Sequence, residues 1–363
     1  MGRTSYNVRM STTINISAAE VISLASDFLS PYSEQFDGTK VILKIANAVD
    51  GDQQSLVFVD SEAAARTLLE SFPALLITTG ALADLIISLH DSDELNIAIT
   101  ANPRLCMALV RAQIDDYDAT DSEWPEIHSS AQVHESSLLG KDVRVGPGAV
   151  IGANVRIGDG SIIRSNSVVE HDAEIGKQCI IHAGVNVGYA SKLGDKVTVK
   201  ANTVIGMEGF GFVPDENKYF HRMPHSGRVV IEDDVVIGAL CNIDRGTLGE
   251  TVIRSGVRLD AMVHIAHNVE IGRDSIITAH CVIAGSSKVG DRVMMSGQTG
   301  VLDHKFIADD TVFVHRAGVT EDITEAGMYA GIPAQPWKKY VKQLGLMKRL
   351  DRLEKRLKSL EDK

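Results

Sequence analysis

Between Leu259 and Gly272 the chain reads LDAMVHIAHNVEIG, with His264 and His267 three residues apart and Asp260 shortly before them. Histidine has its ordinary pKa nearest neutrality, so it is the natural general base for taking a proton from a nucleophile at physiological pH. A lone histidine is most often surface decoration. His267, however, lies two places after the aliphatic Ile265. In the pattern around it, that spacing sends the side chain out from a face or corner, where an opposing subunit would form a cleft.

The pattern has a period of six. From Ile127, each sixth residue as far as Ile205 is Ile, Val or Leu. The phase breaks at GMEGFGF (206–212), resumes at Ile231, Ile237 and Ile243, slips slightly, and then runs from Ile253 to Val319 with only Met295 and Phe313 departing from the aliphatic type. A helix would repeat its apolar residues at i, i+3, i+4 and i+7, and an ordinary strand at every second residue. A period of six over nearly two hundred residues is a repeat architecture. Each hexapeptide reads as a short flat strand and a corner. Glycine often follows the aliphatic residue (146, 152, 158, 176, 188, 194), where it would permit the unusual angles of a tight turn. Three hexapeptides close a triangular coil of 18 residues, and coils stack about 4.8 Å apart through parallel strand pairing.

The flanking regions are of other kinds. In residues 11–120 the apolar runs KVILKIANAV, SLVFVD, ALLITT and LNIAIT read as strands. They alternate with the helical stretches SAAEVISLASDFL, SEAAARTLLESF and NPRLCMALVRAQI, which predicts a small α/β domain. Residues 115–126 are acidic, contain a proline and read as a linker, and MGRTSYNVR before Met10 reads as a loose leader or an expression scar. The domains expected are thus 11–120, 121–320 for the repeats and 321–363 for a helical extension. Residues 206–227 leave the repeat and carry Phe210, Phe212, Tyr219, Phe220, His221 and His225, a projecting loop that would cover a neighbour's face. In the tail, Leu346, Leu350, Leu353, Leu357 and Leu360 form a short heptad seam on a helix that needs partners. From Trp337 to Lys363, ten Lys or Arg stand against four Asp or Glu, a net of +6 within a chain of −12, so the remainder carries −18. That basic segment is either a solvated face or a landing site for an acidic protein. There is no run of 18 apolar residues and no basic-then-apolar signal layout, and Cys106, Cys179, Cys241 and Cys281 lack metal-type spacing and read as reduced thiols. A cytoplasmic protein with no membrane span, no nucleic-acid partner and no metal or other cofactor is expected.

The repeat resembles the hexapeptide-repeat family, which implies a mainly β fold, a left-handed parallel β-helix, and a homotrimer, most often an acyltransferase. IDRG (243–246), IAHN (265–268), GFGF (209–212), AGVT (317–320) and GIPAQP (331–336) together resemble the UDP-3-O-(3-hydroxyacyl)glucosamine N-acyltransferases of lipid A biosynthesis, over essentially the whole chain. The resemblance implies that His267 is the general base. It also implies that a backbone N–H one coil further on holds the oxyanion, and the repeat of 18 likewise brings Gly285 beside His267. It implies an acyl carrier protein as donor, a UDP-amino sugar as acceptor, and substrate contacts at Phe58, Asp260, His264, Asn268, His304 and Phe210. The chain departs from the family pattern at Ala261 and His264, where Asn and Gln are common, and at Ser61 and Ala64, where the uracil site carries Asn and Tyr. Those departures leave open a related acyltransferase acting on another nucleotide amino sugar or on a hydroxyl. A trimeric zinc enzyme of the carbonic-anhydrase type and a non-catalytic scaffold are the readings from other classes.

Overall fold

The structure is a computed structural model that describes residues 14–68, 72–90, 95–114, 124 and 126–361. The expected leader lies outside the described residues, as does nearly all of the expected linker. The chain divides into two units, Met1–Asp118 and Ala119–Lys363.

The first unit is α/β. Its five-stranded sheet runs in the order Ser30–Pro31, Ile97–Ile99, Leu75–Thr78, Ser55–Phe58, Lys44–Ala46, parallel except for the first strand. Its apolar runs are continuous rather than alternating because both faces are covered. Ala18–Leu24 begins with a capping box, Ser17 and Glu20 each satisfying the other's backbone N–H. The helix Gly80–His90 was not expected from the sequence. Its residues GALADLIISLH are apolar around most of the circumference, so the helical period is weak.

The second unit is a β-solenoid. Two-residue strands stack into three parallel sheets of 11, 10 and 9 strands, one for each side of the prism, with a short antiparallel strand, Gln335–Pro336, closing the first. The register is regular: Val150 pairs with Val168, and Val168 with Asn186, 18 residues apart. The sixth-residue aliphatics point inward and form one continuous core with the small or β-branched residues two places before them, such as Ala149, Val197 and Val269. Each inward Val, Leu or Ile stabilises the stack by about 1.5–3 kcal/mol relative to an exposed side chain.

Two insertions interrupt that register. Val204 pairs with Asn242, an offset of 38, and Asn242 pairs with His264, an offset of 22. The first insertion is the 206–227 loop, which carries an exposed antiparallel hairpin, Phe212–Pro214 with Phe220–Arg222. The second is the slip of four residues after Ile243. Arg245 lies within this slip and is 1% exposed. Its guanidinium donates to the carbonyls of Gly206 (2.6 Å), Tyr189 (3.0 Å) and Gly227 (3.1 Å) and lies over the Tyr189 ring at 3.4 Å. Both roots of the loop are thereby tied to the prism.

The corners differ from the sequence expectation. The left-handed φ falls three places after the inward residue, at Asn154 (58°), Asn166 (60°) and Asp172 (59°), where short polar side chains tolerate it. Of the glycines that directly follow an inward aliphatic, Gly206 alone has a positive φ. The others are glycine because the next coil lies against them: a Cβ on Gly158 would stand 2.7 Å from the Gly176 carbonyl carbon. The tail also differs. It is two helices, Trp337–Met347 and Leu350–Glu361, because the last turn of the first tightens at Arg349, whose N–H donates to Leu346 O at 2.9 Å. The expected leucine seam therefore spans a break, and its leucines are exposed. No helix among the described residues is long and apolar enough to cross a membrane.

A contrast tests the packing account. Gly158→Ala is expected to lower stability by about 1–3 kcal/mol through overpacking. Gly300→Ala, where a Cβ meets nothing within 4 Å, is expected to stay within about 0.5 kcal/mol of the parent. Urea unfolding of the two variants measures both, and equal losses would contradict the account.

Candidate active site

His267 stands at a corner whose geometry the backbone fixes. Ile265 is buried between Ile243 of the preceding coil and Ile283 of the next, and the His267 carbonyl accepts the Ser286 N–H at 2.9 Å. Asn268 takes the left-handed corner position, φ 58°. Its amide cannot be turned round. Oδ1 accepts the Thr247 N–H at 2.9 Å, and Nδ2 donates to the Leu248 carbonyl at 2.6 Å. Both partners belong to the four-residue slip. Oδ1 also stands 3.3 Å from His267 Nδ1, with Thr247 Oγ1 at the same distance. A carbonyl oxygen only accepts, so Nδ1 carries the hydrogen and Nε2 keeps its lone pair.

Nε2 faces the next coil at Gly285. A Cβ built there would lie 2.7 Å from Nε2 and 2.6 Å from Cε1. The Gly285 N–H donates to no protein acceptor among the described residues, while its carbonyl accepts the His304 N–H at 2.9 Å. A base with a free lone pair and a free N–H donor thus lie on neighbouring coils. This pairing can take a proton from a nucleophile and stabilise an oxyanion.

A buried half of the site lies behind the imidazole. The His225 side chain, 1% exposed, meets the His267 ring edge to face at 5.0 Å between centroids. Its Nδ1–H donates to Met223 O at 3.0 Å, and its backbone N–H donates to Glu208 Oε1 at 3.2 Å. Glu208 is itself paired with Arg222 at 2.6 Å, and those contacts hold its carboxyl below the usual range. Asp244 is 4% exposed. Burial pushes its carboxyl above the usual range, opposed by His264, by the Asn242 amide, and by His267 and His225. Thiols take no part: the four cysteines are free and buried, and burial raises all four, Cys106 and Cys179 to about 11.

The structure therefore brings His264, His267, Asn268 and Gly285 together, with the His304 backbone on the coil beyond; the His304 side chain is exposed. Asp260 is not among them. Its carboxylate accepts the N–H groups of Ala261 (2.7 Å) and Ala279 (3.1 Å) at a corner that follows the strand Arg258–Leu259 of another side of the prism. Phe210 is 84% exposed, packed on Phe212. Its neighbour Gly209 abuts Asp244, where a Cβ would lie 2.9 Å from Oδ2. Phe58 belongs to the first unit, where it lines a cavity of ≈ 640 Å³ with Lys44, Asn47, Ala64, Thr67 and Arg111. Ser61 does not line it; its hydroxyl caps the helix Glu62–Ala65. Sequence reasoning missed Asp244, Asn242 and Thr247. For Asp244 and Thr247 the signal was the slip after Ile243, since residues inserted into a strict repeat must project against the next coil; Asn242 holds an ordinary strand position and carried no such signal.

Two family models match: the GMPPB C-terminal domain over residues 125–209 and the bacterial transferase hexapeptide (six repeats) over residues 250–285, the segment that holds His264, His267 and Gly285. The fold and these residues define an acyltransferase built on hexapeptide repeats. The UDP-3-O-acylglucosamine N-acyltransferase of Methylococcus capsulatus is 44% identical over 321 residues, covering 88% of this chain and 90% of that protein. The enzyme of the same name from Acinetobacter baumannii is 35% identical over 338 residues, covering 90% and 92%. The solved Arabidopsis UDP-N-acetylglucosamine acyltransferase is 26% identical, with a TM-score of 0.51 over 56% of this chain and 71% of that one. The chain belongs to the UDP-3-O-acylglucosamine N-acyltransferase family, and it is an acyltransferase of lipid A synthesis.

Any side chain at Gly285 would displace the imidazole. Gly285→Val is expected to cut acyl transfer by about 100-fold or more with little change in melting temperature. Loss of activity that simply tracked unfolding would make Gly285 a packing residue.

Proposed function

We propose that the protein transfers a 3-hydroxyacyl chain from acyl carrier protein to the 2-amino group of a UDP-3-O-acyl-glucosamine. The observation that carries this reading is the fixed His267 tautomer, with Nε2 unprotonated and turned to the free N–H of Gly285. The sugar amine attacks the thioester carbonyl carbon, and its proton passes to His267 Nε2. The carbonyl oxygen becomes an oxyanion beside the Gly285 N–H, a donor typically worth about 3 kcal/mol in the transition state. The C–S bond then breaks, the imidazolium returns its proton to the departing sulfur, and the amide and the free carrier thiol remain. His304 serves the nucleotide phosphates and Asn268 holds the base.

The first unit takes the uridine. Phe58 offers a stacking face in the cavity that Lys44, Asn47 and Arg111 share. With alanine at 64, one wall of that cavity is smaller than a tyrosine would make it. The protein works as a cytoplasmic homotrimer, in which an adjoining subunit brings Asp260 and Phe210 to the cleft from its own prism and loop. A second reading, acyl transfer to another nucleotide amino sugar, is favoured by the same Ala64. Turnover of UDP-3-O-acyl-glucosamine compared with sugar variants at equal concentration decides between them.

His267→Ala is expected to lower turnover by roughly 10²–10⁴-fold while the protein unfolds at the parental temperature, since the ring lies outside the prism core. Near-parental turnover in the purified variant would overturn the mechanism.

The basic tail docks the acidic carrier protein. Lys338, Lys339, Lys342, Lys348, Arg349, Arg352, Lys355 and Arg356 supply attraction that the −18 body cannot. Rim charges of this kind act chiefly on association rate and salt dependence. Changing Lys348, Arg349 and Arg352 together to Glu is expected to raise KM for the acylated carrier severalfold at low salt and to leave kcat nearly unchanged. Screening over about 8 Å at physiological salt should narrow the difference. Parental kinetics at low salt would mean that the tail is only a solvated helix pair.

A further inference from the structure

The buried Asp244 carboxylate lies against Asn242 and His264. Its Oδ1 accepts from Asn242 Nδ2 at 2.6 Å, and its Oδ2 stands 3.8 Å from His264 Nε2. The same Asn242 Nδ2 lies 3.2 Å from His264 Nδ1. An amide nitrogen only donates. With one hydrogen given to Asp244, the other points at His264 Nδ1, which must therefore be the unprotonated nitrogen of a neutral ring. His264 Nε2–H then faces Asp244. Protonating Nδ1 would set its N–H against the N–H of Asn242 and break that bond.

We propose that Asp244 is the positioning residue that supplies the counter-charge for the His267 imidazolium, and that Asn242 reserves it for this by locking His264 in its neutral form. This rests on His267 being the base. The charge balance follows from the groups that face Asp244. On the adjoining coil His264 stands 3.8 Å away, and His267, three residues further along, acts on the carboxylate by charge alone. From the loop come His225 and, behind it, the Glu208–Arg222 pair. Arg245 follows in the chain but spends its guanidinium on three carbonyls and Tyr189. Glu208, 3.8 Å from His225, is already paired with Arg222, whereas Asp244 is paired with no Lys or Arg among the described residues. If His264 became charged, it would neutralise Asp244 and repel a proton on His267. The chain carries this requirement because a histidine stands at 264, and a side chain that cannot ionise would need no lock.

Kinetics against pH reads this out. The base works when neutral, so activity falls as His267 becomes protonated. Asp244→Asn removes the charge that favours the imidazolium. The acid limb of kcat/KM should move to lower pH by about one unit, and the plateau should fall about tenfold, the equivalent of that shift. Asn242→Ala frees His264 to become charged and should move the limb in the same direction. Adding His264→Gln to Asn242→Ala should return the limb to the parental position, which a merely structural role for Asn242 would not do. Should Asp244→Asn fail to fold, the Asn242→Ala and double variants decide the matter. A limb that stays in place in Asn242→Ala, or that His264→Gln does not restore, overturns the proposal. Nitrogen-15 NMR of the imidazoles gives a reading independent of catalysis. His264 should show the Nε2–H neutral form in the parent and become cationic at higher pH in Asn242→Ala. Identical titration in the two proteins also overturns it. Loss of the base reading is distinguished separately, by turnover surviving in His267→Ala.

Discussion

Backbone pairing between successive coils is the constraint on which the rest of the second unit depends. A coil of 18 residues at strand spacing sets every residue directly over its counterpart in the coil below. Side chains remote in sequence become neighbours without a loop having to close on them. His267 and Gly285 meet for this reason, and the same stacking explains the glycines. A residue that follows the inward aliphatic has the next coil's backbone against its Cβ position, as at Gly152, where the His171 nitrogen would be 2.8 Å away.

A perfectly regular prism would have no site. Chemistry enters where the repeat is broken. The four extra residues after Ile243 put the Thr247 N–H and the Leu248 carbonyl where they grip Asn268, and Asn268 in turn sets the imidazole tautomer. The larger insertion lays His225 against His267. Arg245 joins the two departures, with its charge enclosed by three carbonyls and an aromatic face. A buried cation is costly unless its donors are satisfied, and truncating one leaves its partners unpaired. Arg245 is therefore a strut between the irregular segments rather than a group available for binding.

The prism was legible because one physical signal, an inward aliphatic at every sixth position, persists for so long that no helix or ordinary strand competes with it. The outward projection of His267 and its stacking beside Gly285 followed from the same periodicity, while the roles of base and oxyanion donor came from the family resemblance. The buried half of the site followed from neither. Asp244 and Arg245 stand in the sequence only as the charged pair of IDRG after Ile243, and nothing local marks one as 4% and the other as 1% exposed. Their burial comes from the loop that folds over them, which is a tertiary effect. The corner glycines were assigned to the wrong cause, because close approach between coils and positive φ both select glycine and sequence alone does not separate them. The tail was read as one helix because its leucine spacing continues across Lys348–Arg349, while the backbone bonding does not.

The central claim is that His267 Nε2 and the Gly285 N–H act on the same carbonyl from adjoining coils. A crystal structure with the UDP-amino sugar and an acyl-phosphopantetheine in which an amide replaces the thioester measures this most directly. The account predicts the sugar nitrogen within hydrogen-bonding distance of Nε2 and the amide oxygen within hydrogen-bonding distance of the Gly285 nitrogen. An acyl carbonyl bound elsewhere on the prism, with His267 touching neither substrate, would contradict it.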